Sequence, residues 1–226
     1  MNKIELFQKV ATIFSQEGFK LFLVGGSVRD YLLYGDFNDI DVTSDATPDE
    51  IKKYLPFEAD YTFSKYGNVN FKVEGYKFEL TTLREEASYL DSRHPNKIVF
   101  TKELNKDYKR RDFTINALYL DSALKVIDFS SGQQDLKDKV IRMIGTPIER
   151  IKEDPLRILR AIRFSLDLSF DIEKELGEVI KSNGSLLLNL NKEKIKQELS
   201  KFKSNNELIK KEFDKYNISK ILDMIY

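Results

Sequence analysis

Apolar residues recur at Ile4, Leu6, Phe7, Val10, Ile13 and Phe14, close to one face of a helix, and Gly18 follows as a stop. The spacing predicts a helix over residues 4–17. Residues Lys20–Val24 form a short apolar run ending at Gly25-Gly26, the signature of a buried strand. A short helix is then expected over Val28–Leu33, closed by Gly35, and a second strand over Asp39–Thr43, where acids and aliphatics alternate. Thr47-Pro48-Asp49-Glu50 opens a further helix, with Thr47 as N-cap, Pro48 at the first helical position and Glu50 completing a capping box.

Val69, Phe71, Val73 and Tyr76, Phe78, Leu80 alternate on either side of Glu74-Gly75, which predicts a hairpin. Residues 84–97 are polar and contain Pro95, so a loop is expected there. Phe113–Leu120 reads as helix and Lys125–Phe129 as strand. From Ile148 onward the pattern is helical. Strands crowd the first two thirds and helices fill the last third. This predicts an α+β domain followed by a helical one, with the seam near residues 140–150. There is no internal repeat.

The chain has 226 residues, 41% of them hydrophobic with 16 Phe and 11 Tyr, enough for a substantial core. Its 37 basic residues balance 37 acidic ones, so net charge does not announce a nucleic-acid partner. Residues 181–226 hold ten Lys against six acids, a local excess of four positive charges. Such a segment suits a phosphate backbone, and it equally suits a solvated helical face. Cysteine is absent, which removes disulfides, thiol nucleophiles and cysteine-ligated zinc. No apolar stretch approaches bilayer length and no signal-peptide pattern opens the chain, so a cytoplasmic protein is expected.

Candidate chemistry starts at Asp39-Ile40-Asp41. Alternation along a strand points both carboxylates one way and Ile40 the other. Two adjacent carboxylates repel unless a cation lies between them, and hard oxygen donors suit Mg²⁺, with a two-ion site expected. An exposed edge strand alternates in the same way. Upstream, Gly25-Gly26-Ser27 joins a strand to a helix whose first turn carries Arg29; glycines admit a triphosphate and helix N-terminal amides attract anions. A tight turn alone would also use these glycines. No Gly-Lys-Ser/Thr follows, so this is not the loop of P-loop NTPases. Asp112 and Asn116 are four apart and are expected on one helix face. There they would take ribose hydroxyls while Arg111 meets phosphate, although an N-capping Asp beside a basic pair reads similarly. Asp154 and Arg157, three apart, are expected on one helix face, and an ordinary Asp–Arg ion pair has the same spacing.

Together these segments resemble a known family. Leu23-Val24-Gly25-Gly26-Ser27-Val28-Arg29-Asp30 and Asn38-Asp39-Ile40-Asp41-Val42 are similar to the head domain of class II tRNA nucleotidyltransferases. Those CCA-adding enzymes, with the bacterial poly(A) polymerases, lie within the DNA polymerase β-like nucleotidyltransferase superfamily. Four later segments match in order. Arg110-Arg111-Asp112-Phe113-Thr114-Ile115-Asn116 resembles the ribose- and phosphate-contacting motif. Asp128-Phe129-Ser130-Ser131-Gly132 to Asp135-Leu136 resembles the hinge, with Ser131 replacing its usual first glycine, cheaply if φ stays negative. Glu153-Asp154-Pro155-Leu156-Arg157 to Arg160 and Arg163 resembles the motif that reads the base. Asn191–Leu199 resembles a neck segment supporting that helix, with Lys194 where Arg is usual.

The resemblance implies a polymerase-β-like head (residues 1–145, a mixed sheet with flanking helices) and a small all-helical neck (residues 146–226), with the active site between them and body and tail domains absent. It implies template-independent addition of C and A to tRNA 3′ ends from CTP and ATP, with pyrophosphate released. Asp39 and Asp41 would bind Mg²⁺, with Glu79 as a third catalytic carboxylate. Gly25, Gly26, Ser27 and Arg29 would hold the triphosphate, and Arg111, Asp112 and Asn116 the ribose and phosphate. Asp154 and Arg157, aided by Arg160 and Arg163, would read the base edge. Arg84, Asp91 and Arg93 fall in the family's flexible loop, and His94, the only histidine, is expected there in loop packing or exposed to solvent rather than in catalysis. Rival readings are a poly(A) polymerase, a CC- or A-adding partial enzyme, a non-catalytic RNA- or nucleotide-binding module, and an antibiotic-modifying nucleotidyltransferase. A second chain supplying body and tail functions is also compatible with the sequence.

Overall fold

The structure is a computed structural model, described for residues 2–89 and 95–223. Its elements in chain order begin with α1 (Lys3–Gln16), β1 (Leu21–Val24), α2 (Gly26–Tyr34), β2 (Ile40–Ser44), α3 (Pro48–Tyr54), β3 (Ala59–Asp60), β4 (Asn68–Val73) and β5 (Tyr76–Thr82). Then come β6 (Arg84–Tyr89), β7 (Pro95–Phe100), α4 (Leu104–Asp107), β8 (Tyr119–Leu120), β9 (Val126–Ile127), α5 (Gly132–Asp138) and β10 (Val140–Ile141). The remainder is α6 (Pro147–Glu153), α7 (Leu156–Leu168), β11 (Asp171–Ile172), α8 (Lys174–Asn183), α9 (Lys192–Leu199), α10 (Asn206–Lys215) and α11 (Lys220–Asp223). Two compact units emerge: Met1–Ser88, Pro95–Arg111 and Ile115–Gln133 form one, while Asp112–Thr114 and Gln134–Tyr226 belong to the other.

The first unit is built on a seven-stranded mixed sheet in the order β3-β4-β5-β2-β1-β8-β9. Its β2–β5 pairing is parallel and its β4–β5 pairing antiparallel. Alternation in β4 and β5 sends Val69, Phe71, Phe78 and Leu80 into the core, all at 3% exposure or less. Phe14 of α1 stacks on Phe57 at 6.2 Å, Phe57 on Phe71 at 4.5 Å, and Phe71 on Phe78 at 5.2 Å between ring centroids. Phe14, Phe71 and Phe78, all buried, each contribute roughly 1.5–3 kcal/mol, and the half-buried Phe57 less. The hairpin turns at Glu74 and Gly75, both at positive φ (51° and 85°), which suits a two-residue loop matching the strand twist. The expected capping box of α3 is present, Thr47 and Glu50 exchanging side-chain and backbone bonds.

In the second unit α7 buries Leu156, Ile158, Leu159, Ala161, Ile162 and Phe164. Helices α6, α9 and α10 pack on it, and Phe113 meets Phe164 edge-on at 5.7 Å. A short parallel pairing of β10 with β11 accompanies these helices, so the unit is not wholly helical.

Several local expectations are corrected. The predicted loop over residues 84–97 contains strands β6 and β7, which pair with each other. A two-stranded ribbon needs no apolar face, so its sequence lacks the alternation that would reveal it, and Pro95 stands at the first strand residue, where its missing N–H is tolerated. Asp91, Arg93 and His94 lie outside the described residues. The predicted helix over Phe113–Leu120 is instead an isolated bridge of Phe113 to Met143, a 3₁₀ turn at Thr114–Asn116, and β8. The Thr114 amide donates to the Arg142 carbonyl and the Ile144 amide to the Asp112 carbonyl, so tertiary pairing overrides any helix there. Ser131 has φ of +62°, in the left-handed region, contrary to the negative value expected.

Candidate active site

The Gly25-Gly26-Ser27 turn works through its backbone. Gly25 caps α2 at φ +65°, and a Cβ on Gly26 would lie 3.6 Å from an Arg29 guanidinium nitrogen and 3.7 Å from Asp41 Oδ2. The chain therefore passes close to both a cation and a carboxylate, with the first amides of a nine-residue helix beside them. Ser27 is 2% exposed. Its hydroxyl donates to the Asp39 carbonyl at 2.7 Å and accepts from the Asp41 amide at 2.8 Å. The expected phosphate ligand thus spends its hydroxyl on the backbone of the two acids.

Asp39 lies one residue before β2 and is exposed, while Asp41 is half-buried between the buried Ile40 and Val42. The parallel register sets Glu79 directly beside Asp41, as expected across neighbouring strands. Burial first, then the charges of Glu79 and Asp39, push the Asp41 carboxyl up to about 6, against the opposing pull of Arg111 and Arg29. The Glu79 side chain is 51% exposed and accepts from Lys77 at 2.5 Å. Lys77, which sequence reasoning did not single out, has its ammonium pKa raised by the Glu79 hydrogen bond and charge, and by Asp39 and Asp41.

Arg29 donates to Asp30 at 2.8 Å and to Asn116 Oδ1 at 2.8 Å. Arg111 makes a two-pronged contact with Asp107 Oδ2 at 3.1 and 2.9 Å, and its guanidinium lies 5.0 Å from the centre of the Tyr119 ring. Asp107 is fully buried and also accepts from Arg110, Tyr119 and the Arg84 amide. Burial would raise its pKa, but Arg111 and Arg110 overcome this and hold it well below the usual carboxylate range. Asp107 was missed in the sequence, although an Asp three and four residues before two arginines is a readable helical ion-pair spacing. Arg84 is clamped by Glu86 at 2.7 Å and by the Tyr66 carbonyl.

In the second unit Asp112 accepts from Arg160, with one bond of 2.7 Å. Asp112 and Asn116 therefore do not share a helix face; each has its own arginine. Asp154 is the C-cap of α6, two residues before α7, and accepts from the Leu156 amide at 3.1 Å. It does not project from the helix of Arg157, because Pro155 interrupts between them. Arg157 is 6% exposed, donating to the Arg150 carbonyl at 2.6 Å and to Glu153 at 2.9 Å. Arg163 bonds Glu198 of α9 at 2.9 Å. The Asn191–Leu199 segment thus supports α7 through Glu198, which sequence reasoning had not named.

The model of the poly A polymerase head domain matches residues 21–142. The chain belongs to the family of CCA-adding enzymes and poly(A) polymerases. Among this family's curated members, the CCA-adding enzyme of Lactobacillus helveticus (strain DPC 4571) is 41% identical over 184 residues, covering 81% of this chain and 46% of the relative. That of Staphylococcus epidermidis (strain ATCC 12228 / FDA PCI 1200) is 37% identical over 214 residues, covering 93% and 53%. Among solved structures, the Bacillus stearothermophilus CCA-adding enzyme in complex with CTP has a TM-score of 0.80 at 30% identity, over 89% of this chain and 49% of that one. The Thermotoga maritima CCA-adding enzyme complexed with tRNA has a TM-score of 0.76 at 27% identity, over 96% and 52%. The chain spans about half the length of the curated relatives it matches.

Within this family fold, Asp39 and Asp41 offer hard oxygen donors whose mutual repulsion a divalent cation would relieve. Among the described residues no three His, Cys, Asp or Glu side chains converge as a complete metal cage. An ion held by one or two carboxylates and completed by substrate phosphates needs no such cage. No described helix is long and apolar enough to cross a membrane.

Proposed function

We propose that this chain carries the catalytic and base-selecting parts of a CCA-adding tRNA nucleotidyltransferase, transferring CMP and AMP from CTP and ATP to a tRNA 3′ hydroxyl and releasing pyrophosphate. The observation that carries the reading is Asp41, set between Glu79 and the glycine turn with its pKa raised to about 6. A carboxylate kept under such repulsion serves charge chemistry better than folding.

Residues 1–145 act as the head and 146–226 as the neck. Gly25, Gly26 and the α2 amides bind the triphosphate, and Arg29 neutralises it. Ser27 fixes the backbone that presents Asp39 and Asp41. Asp39 and Asp41 would hold Mg²⁺, with two ions as the working number, and the metal would supply Lewis-acid stabilisation of the developing charge. Arg111 faces phosphate while Asp107 fixes its fork. Asp154 accepts from the exocyclic amine of cytosine or adenine, and Arg157 donates to the ring acceptors, exchanging its bond to Glu153 for the base. Arg160 and Arg163, anchored by Asp112 and Glu198, hold the helix in place. A tRNA substrate implies a cytoplasmic location.

The chain is tested with tRNA lacking its terminal CCA and labelled CTP and ATP. Three added nucleotides, lost in Asp41→Ala, are expected; no incorporation by the unaltered chain overturns the reading. The match to a poly A polymerase head keeps a second reading open, and a long ladder with ATP alone would select it.

A further inference from the structure

Tyr119 is wholly buried, yet its hydroxyl reaches an ion pair rather than a neutral acceptor. The strand that carries it, β8, pairs antiparallel with β1, and the register sets Tyr119 opposite Val24, the residue before the glycine turn. Its ring packs with Phe22, Val24 and Leu83 and meets Phe129 at 6.4 Å between centroids. The phenol is therefore fixed to the sheet just behind the proposed triphosphate cradle.

A hydroxyl offers one hydrogen and two lone pairs. Tyr119 donates to Asp107 Oδ2 at 2.8 Å and accepts from Arg111 Nε at 3.1 Å. Burial first, and the charge of Asp107, raise the phenol pKa against the pull of Arg111, so the proton stays on the hydroxyl. Stability does not call for this arrangement, because apolar side chains of the same volume often replace a buried ion pair without loss. Orientation does. Arg111 reaches Asp107 through Nε and Nη2, and both bonds converge on the single oxygen Oδ2. A fork held at one oxygen can pivot about it. The Tyr119 hydroxyl supplies a second anchor on Nε, and the ring lies 5.0 Å from the guanidinium carbon. A guanidinium is planar, so two anchors set the direction of the whole fork. Arg111 is also within electrostatic reach of the paired acids, since its charge opposes the rise of the Asp41 carboxyl.

We propose that Tyr119 is a positioning residue for Arg111, its hydroxyl and ring holding the guanidinium in the orientation that meets the phosphates of the incoming nucleoside triphosphate. This rests on the nucleotidyl-transfer reading above, in which Arg111 faces phosphate. Asp107 secures the charge of Arg111, and Tyr119 secures its direction.

The test measures CTP affinity by isothermal titration calorimetry in Mg²⁺ buffer without RNA. It compares the unaltered full chain, Tyr119→Phe, Arg111→Lys and the double variant. Tyr119→Phe keeps the ring, and Asp107 keeps its two arginines and the Arg84 amide, so the fold persists, as thermal melts will check. Loss of one orienting hydrogen bond is expected to weaken CTP binding about threefold to tenfold. Lysine has no Nε donor, so in the Arg111→Lys background the same change should cost less than about twofold. A residue that only fills the core would not distinguish the two backgrounds. An unchanged CTP affinity in folded Tyr119→Phe, or an equal loss in both backgrounds, overturns the positioning role. CMP incorporation into tRNA lacking its terminal CCA is measured alongside. An unaltered chain that transfers no CMP overturns the reading beneath the proposal instead.

Discussion

Asp41 and Glu79 are direct neighbours in the parallel pairing of β2 and β5, so two carboxylates stand side by side on one face of the sheet. The cost falls on Asp41, whose pKa rises to about 6 through burial and the charges of Glu79 and Asp39. Its unfolded value is about 3.9, so between these limits the folded state binds the extra proton. The contribution to stability is fully present below the unfolded value, is lost as pH rises through about 6, and stays lost above it. Asp41→Asn should therefore stabilise the chain at pH 7.5, by on the order of 2 kcal/mol, and by almost nothing near pH 3.5. Urea denaturation at the two pH values, without divalent cation, measures this. Nucleotide incorporation should vanish in the same variant, which separates a strained functional acid from a structural one.

Ser27 provides a second separation. Its hydroxyl serves the Asp39 carbonyl and the Asp41 amide, so Ser27→Ala leaves two poorly solvated backbone groups without that partner, at about 1–3 kcal/mol. The acids lose their setting while the phosphate cradle keeps its amides. Steady-state kinetics with CTP should show kcat falling by more than KM rises. A Ser27 that contacted the triphosphate directly would give the reverse.

Asp107 should be the most costly single charge to remove. It is fully buried and holds Arg111, Arg110 and the Tyr119 hydroxyl. Asp107→Asn strands those cations, a change worth about 3–5 kcal/mol at neutral pH. Because the folded pKa is depressed despite burial, the stabilisation is present above the unfolded value of about 3.9 and is lost as pH falls toward the folded one. The gap in urea midpoint between the two proteins should narrow steadily below about pH 4.

Periodicity made the head legible wherever one face was apolar. The Phe71 and Phe78 hairpin, the Thr47–Glu50 capping box and α1 fall where their patterns put them. It failed where long-range backbone pairing decides conformation, as at Phe113–Asn116, which bridges to residues 142–144. It failed again at the polar ribbon of β6 and β7. In the site, the order of the motifs was readable, because glycines and acids at fixed spacing have few alternatives. Partners were not. Spacing linked Asp112 to Asn116 and Asp154 to Arg157, whereas folding gives Asp112 to Arg160, Asn116 to Arg29 and Arg157 to Glu153. Glu198 acts through Arg163, a distant neighbour that no local pattern reports, whereas Asp107 and Lys77 pair with Arg110, Arg111 and Glu79 at spacings the sequence did offer.

Ser131 is a residue the hinge motif tolerates at a cost. Its φ of +62° is a conformation that a side chain disfavours by roughly 1–2 kcal/mol, and glycine occupies it freely. Asp128 holds the turn, accepting from the amides of Ser130, Gly132 and Gln133 at 2.9, 3.1 and 2.9 Å. Glycine gains freedom in the unfolded chain worth about 0.4–1 kcal/mol, which offsets part of the relief. Ser131→Gly should therefore be stabilising by no more than about 1 kcal/mol, whereas the β-branched Ser131→Val should be destabilising by about 1–2 kcal/mol. The opposite signs distinguish backbone strain from a lost side-chain contact, for which both variants would destabilise. Thermal melts of the two proteins at one pH and ionic strength decide between them.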